Sequence, residues 1–459
     1  MSSPIALALA LVVGLSLSAV ALVAVAKRPQ RGVLLLVALT PFNGLLLLVP
    51  HPTALDGWKE ALVLLLAVMA LHTPPAPRRQ LPAYAVALIG LVGIGALSAV
   101  AVGGQQGLLG FKIDFFYVLL LPVLWRCPLS ARDRDRLVTL LMVTGVVTAV
   151  VGLVQQVVGG AALAAIGYDY NTTIRTAGGL LRSFSTFNQP FPFGLYEMLV
   201  LLVGVPVALV QVRRRRNAAF LLCTPLLVAG MLSSIVRAAI LGLLVGAVFL
   251  WWHRDRVLAH AVPIFLAAAL FVPPSLYGPV LSPTSLGQRS AGWAETFGRV
   301  LAAPLGNGIG ASGSAAEKTA AAVGTTALTY QPDNYYFKTV FELGPIGLWL
   351  LILILVSAFG MARRTSLVLR ARASTTPDAA QAQQGRRDAA LAAGIGAAIL
   401  AAAAASVVAT YFEIFPLDLL FWLLLGVLSS LGAGSSSTPS PPDPVTAASG
   451  STSVGSVAH

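Results

Sequence analysis

The sequence predicts an all-α, polytopic membrane protein, and three observations carry that prediction. Only 10% of the 459 residues are charged, where soluble domains carry about 25%. Mean hydropathy is +0.83, and apolar runs long enough to cross a bilayer follow one another along the chain. Lysines and arginines cluster after every second run, the pattern that marks cytoplasmic helix ends. Backbone polar groups in lipid must be paired within their own segment, so the runs are helices.

In order, the runs fall near 4–26, 33–50, 58–72, 82–102, 111–125, 137–158, 190–212, 217–235, 238–252, 257–273, 334–361, 389–411 and 416–433. The runs at 58–72 and 111–125 are short, which gives twelve or thirteen spans. The first lacks a basic leader and is followed by Lys27, Arg28 and Arg31, so it reads as a retained span and not a cleaved signal. Residues 1–434 form one transmembrane domain, with extracytoplasmic loops at 159–189 and 274–333. The tail at 435–459 is rich in Ser, Pro, Gly and Ala and reads as a disordered cytoplasmic segment.

The net charge of +13 belongs to topology and not to nucleic acid. Of the 30 basic residues, 21 lie on one side of the spans: Lys27 to Arg31, Arg78/Arg79, Arg126 to Arg136, Arg213 to Arg216, Arg254/Arg256 and Arg363 to Arg387. That side is predicted to be the cytoplasm, which puts the N-terminus outside. Cys127 and Cys223 fall near cytoplasmic helix ends and form neither a disulfide framework nor a Cys/His metal pattern.

Nine basic residues break the rule: Lys59, Lys112, Arg175, Arg182, Arg237, Arg289, Arg299, Lys318 and Lys338. Solubility of outer loops accounts for most such charges taken singly. Arg237 is different, because it sits in MLSSIVRAAILGLL, a turn of almost no length between apolar runs. A cation at that depth calls for a partner or a ligand. Arginine clamps phosphate through its planar fork, and no outer loop carries a dense set of acidic partners. Arg182 and Arg299, with Asn334, Tyr335 and Lys338, are substrate-binding candidates; Arg237, Arg289 and Asp333 are catalytic candidates.

Asp333 precedes a span, where a carboxylate serves equally as a helix cap or as a general base for an acceptor hydroxyl. Lys338 and Glu342 are spaced for an i, i+4 pair. Lys112 and Asp114 read as an interfacial pair. Glu197 lies inside an apolar span and calls for a partner. Tyr168, Tyr170, Tyr330, Tyr335 and Tyr336 read as an interfacial belt, with sugar stacking as the alternative. Neither long outer loop shows strand alternation, and SAGWAETFGRVLAAP has the spacing of an amphipathic helix, lying on the membrane surface or equally packed on the bundle. Motifs for a nucleophile, a P-loop or a metalloprotease are absent, and so is an outer DxD-like cluster. The expectation is a metal-independent reaction with no cofactor.

Four stretches between about Arg182 and Gly426 carry a resemblance: RSFSTFNQPFPFGLY, SSIVRAAILGLLVGAVFL, QRSAGWAETFGRVLAAPLGNGIG and PDNYYFKTVFELGPIGLWLLIL. In them the chain resembles the bacterial O-antigen ligase and Wzy-type O-antigen polymerase superfamily; the N-terminal third is similar only in hydropathy. The resemblance implies a GT-C-like glycosyltransferase with its site at the outer face of the cytoplasmic membrane. It would move a glycan from an undecaprenyl-type pyrophosphate carrier to an acceptor hydroxyl, with no metal and no nucleotide sugar. Arg237 and Arg289 match the two arginines that hold the pyrophosphate in that family. Its ligases carry His-Asn where this chain has Asp333-Asn334, so either Asp333 is the base or the chain stands nearer the polymerases. A flippase or transporter of lipid-linked saccharides is the rival reading, and a peptidoglycan-type polymerase is a third.

Overall fold

The computed structural model describes residues 27–49, 51–74, 81–170, 172–253, 302–322 and 331–435, with single positions at 25, 298, 300 and 324. The first helix, α1 (Pro29–Leu39), starts on a proline, whose missing N–H costs nothing there, and runs on as a 3₁₀ turn over Thr40–Leu48. Then come α2 (Trp58–His72), α3 (Ala85–Val102) and a span built from α4 (Gly104–Phe115) and α5 (Leu120–Arg126). Ser130 opens α6 (Ala131–Ala165) by accepting a hydrogen bond from Asp133 N, the usual capping arrangement.

Two three-residue strands follow, β1 (Arg175–Ala177) and β2 (Leu180–Arg182), paired antiparallel with Arg175 opposite Arg182. Among the described residues, the helices that follow are α7 (Pro190–Val210), α8 (Arg215–Leu222), α9 (Thr224–Ser233), α10 (Arg237–Trp252), α11 (Gly313–Ala322), α12 (Tyr335–Thr375), α13 (Ala379–Ala405) and α14 (Leu417–Ser435).

Among the described residues, seven helices are long and apolar enough to cross a membrane. An eighth is counted when α8 and α9, bent by 42°, are taken as one span. α10 and Leu417–Leu431 are shorter apolar helices. The chain is thus a multi-pass, helical membrane protein. Of the predicted runs, those at 4–26 and 257–273 lie outside the described residues, as does nearly all of the 435–459 tail.

α7 is the hub, with almost every side chain buried. It packs on α13, whose run GIGAAILAAAAA brings backbones close. A Cβ on Gly394 would meet Leu202 O at 2.8 Å, which is the tight helix contact that small residues permit in a membrane.

The two ends of the bundle differ. At one end Arg134 grips Asp388 at 3.0 and 2.7 Å, and Arg214 grips Asp135 at 2.6 and 2.8 Å. Arg126 reaches the last carbonyls of α2 there. These are the residues assigned to the cytoplasmic side, and the fold gathers them together.

Three expectations are corrected. Helix α6 runs past the predicted 158 to Ala165 through a break at Gly159 (φ 79°). The loop at 159–189 holds a hairpin, because Gly178 and Gly179 both take positive φ (56° and 79°), the demand of a tight two-residue turn. Helix α12 continues to Thr375, well beyond 361, and bends at Gly344 (φ 70°) before Pro345.

Candidate functional site

At the end opposite the arginine-rich one, α12 begins where Asn334 accepts hydrogen bonds from Tyr336 N (2.9 Å) and Phe337 N (3.2 Å). The cap is therefore Asn334 and not Asp333: Asn334 is buried with its oxygen committed, while Asp333 is exposed.

One turn further, Lys338 is 2% exposed and points into three carboxylates. Its Nζ lies 2.9 Å from both oxygens of Asp114, 3.0 Å from Glu342 Oε2 and 3.3 Å from Glu413 Oε1. Glu342 Oε1 accepts from Ser312 N at 2.9 Å and Ser312 Oγ at 2.8 Å, so its charge also sits at the N-terminus of α11, where an anion is favoured. The predicted Lys338–Glu342 pair forms. The predicted Lys112–Asp114 pair does not: Lys112 reaches Glu60 at 2.9 Å, and Asp114 turns inward to Lys338. The two residues are close in sequence but on different faces of α4.

Two polar cavities open beside this cluster. The larger, about 440 Å³, has Asp333, Glu317 and Gln189 in its wall. The smaller, about 250 Å³, has Lys59, Glu60, Lys112 and Asp418. Ile113, Asn188, Lys318, Glu413 and Phe415 line both, so the cavities adjoin. The acids around the cavities come singly from α2, α11, α14 and the turns before α12 and α14. No one loop is dense in them, as expected, yet the fold brings them together around the cavities.

Behind one wall lies an arginine group. Arg182 sits over the Phe191 ring at 5.1 Å, and Phe191 lines the larger cavity. Arg182 Nε donates to Ser234 O at 3.2 Å, three residues before Arg237. Its guanidinium is pushed down to about 10 by burial first, and then by the charges of Arg175 and Arg237. Three cations are thus held together, an arrangement that favours an anion among them.

The backbone there is strained. Ser185 (φ 54°) and Ile235 (φ 53°) take left-handed conformations, costly for a β-branched residue. Gln155 holds the first, accepting from Ser185 N at 2.7 Å and donating to Ser185 O at 2.8 Å.

Of the sequence candidates, Asp333 is in the cavity wall and Arg182 stands behind its Phe191, with Arg237 near enough for its charge to act on Arg182. Lys338 and Tyr335 belong to the buried cluster: Tyr335 packs on Phe412, and neither lines either of the two polar cavities. Tyr336 OH donates to Ala403 O at 2.8 Å, Tyr168 packs on Phe184 and Tyr170 is exposed. Glu197 has the expected partner, Thr148 Oγ1 at 2.5 Å. Arg289, Arg299, Tyr330 and most of the surface-helix segment lie outside the described residues. Reading the sequence missed Glu60, Glu413 and Asp418; the signal was there, as single acids at the outer edges of apolar runs.

Among the described residues no group of His, Cys, Asp and Glu has the arrangement of a metal site. Compared with known proteins, the chain matches no family model and no curated protein.

Proposed function

We propose that the protein is a membrane glycosyltransferase of the O-antigen ligase or polymerase type, acting at the outer face of a bacterial cytoplasmic membrane. The observation that carries this reading is Arg182 behind Phe191 in the wall of an acid-lined polar cavity, with Arg175 and Arg237 near enough for their charges to act on it. A polyprenyl-pyrophosphate donor needs both features. The arginines hold the diphosphate, and the cavity holds the hydroxyl-rich acceptor, whose proton must pass to a carboxylate. Charge developing on the leaving diphosphate is met by fixed cations, the larger contribution in reactions of this kind. Arg289 joins the clamp by its resemblance to the family pattern. Bunching of the other arginines at the opposite end supports reading that end as cytoplasmic, with the cavities on the outer side.

The test is reconstitution in liposomes with a polyprenyl-pyrophosphate oligosaccharide and no nucleotide sugar. A ladder of longer glycans identifies a polymerase, and one product that requires added acceptor identifies a ligase. Movement of the donor between leaflets with no polyprenyl pyrophosphate released would establish the transporter reading instead.

A further inference from the structure

We propose, building on the transferase reading, that Glu413 is the carboxylate that takes the proton from the acceptor hydroxyl, and that the adjoining cavities are the acceptor-saccharide site. Glu413 ends the 3₁₀ turn Tyr411–Glu413 between α13 and α14. It and Lys318 are the two charged residues that line both cavities. Asp333 stands in the wall of the larger one alone and is exposed.

The surroundings of Glu413 are built. Gly313, at φ 64°, lies against it, and a Cβ there would come within 2.7 Å of Oε1. Among the described residues that oxygen has no hydrogen-bond partner; a polar neighbour is Lys338 Nζ, at 3.3 Å. Lys338 is already saturated by Asp114 and Glu342.

Glu413 is the member of the carboxylate set that borders the cavities. Its carboxyl is held up at about 7, by burial first, against the opposing pull of Lys338. Other charges face it from every neighbouring element. They are Asp114 and Lys112 on α4, Lys338 and Glu342 on α12, and Glu317 and Lys318 on α11. Lys59 and Glu60 on α2, Asp418 on α14, and Asp333 complete the set.

In the step, the acceptor O–H bond breaks and its proton goes to the Glu413 carboxylate. The freed oxygen pair attacks the anomeric carbon, and the bond from that carbon to the phosphate oxygen breaks. The electron pair leaves with the diphosphate, beside the arginines. Asp333 binds the acceptor at the mouth. Lys338 is a positioning residue, acting through Glu413.

The experiment uses the full chain in liposomes with the lipid-linked oligosaccharide as donor, and follows release of polyprenyl pyrophosphate from pH 5 to 8. Wild-type kcat should fall as pH drops through about 7, where the base becomes protonated. Glu413→Gln should lower kcat about 100-fold or more, leave donor KM within about threefold, and remove that limb. Glu413→Asp, which keeps a carboxylate, should restore part of kcat and the limb, and it serves in place of Glu413→Gln if that variant does not fold. Asp333→Asn should raise acceptor KM and keep the limb. Wild-type kcat and an intact limb in Glu413→Gln would overturn the proposal and leave the transferase reading standing. Failure of the wild type to consume donor would overturn both.

Discussion

Lys338 is an ammonium placed where lipid or protein surrounds it, and it is tolerable there only because Asp114, Glu342 and Glu413 converge on it. Removing one partner of a buried ion set leaves the others uncompensated, at a cost of about 3–5 kcal/mol. Lys338→Met should therefore lower the unfolding midpoint in detergent by far more than Asn334→Ala, where a lost cap costs about 1 kcal/mol. Equal shifts would mean that the three carboxylates do not depend on the ammonium. Half of this arrangement was legible in the sequence, since Lys338 and Glu342 are one turn apart. The other half was not, because Asp114 lies 224 positions away and nothing local links it to Lys338. The cap falls on Asn334 and not on Asp333 for a similar reason. Either side chain satisfies the free N–H groups of a helix start, and the backbone at Asn334 (φ −145°, ψ 121°) decides which one does.

Helix α13 shows what an alanine- and glycine-rich run does inside a membrane bundle. With little side chain in the way, it lies close against α7, α10 and α12. A Cβ at Gly246 of α10 would already press on Leu202 at 2.7 Å, and one at Gly394 would meet the α7 backbone. Gly394→Leu should force α7 and α13 apart and cost about 1–3 kcal/mol by overpacking, read as a lower melting temperature. An unchanged melting temperature would show that this contact is not a tight one. The multi-pass helical architecture was legible, because apolar length and basic punctuation fix a membrane helix with little help from tertiary contacts; of the twelve or thirteen predicted spans, seven or eight are long and apolar enough among the described residues. The β1–β2 hairpin was not: its strands have three residues each and its only signal is the Gly178-Gly179 pair. The continuation of α6 beyond Gly159 was hidden in the same way, since a glycine in a loop-like composition reads as an end.

In the molecule as a whole, charge is sorted. Arginines and their acidic partners lock the helix ends together on one side. On the other side, acids and lysines from separate elements surround two adjoining cavities, with Arg182 behind one wall and Arg175 and Arg237 near enough for their charges to act on it. The sorting of basic residues was visible in the sequence. The convergence of single acids was not, because it depends on which helix ends the fold brings together. That convergence next to the arginine group is the basis for reading the outer end as a site of glycosyl transfer from a diphosphate carrier. The most direct test compares release of polyprenyl pyrophosphate by wild-type protein and by Arg237→Ala, each shown to be folded, in liposomes supplied with lipid-linked oligosaccharide. The account predicts release by the wild type and a loss of about 100-fold or more in the variant, the scale of one missing charge-stabilising group. Equal release by the two proteins, or none by the wild type, would contradict it.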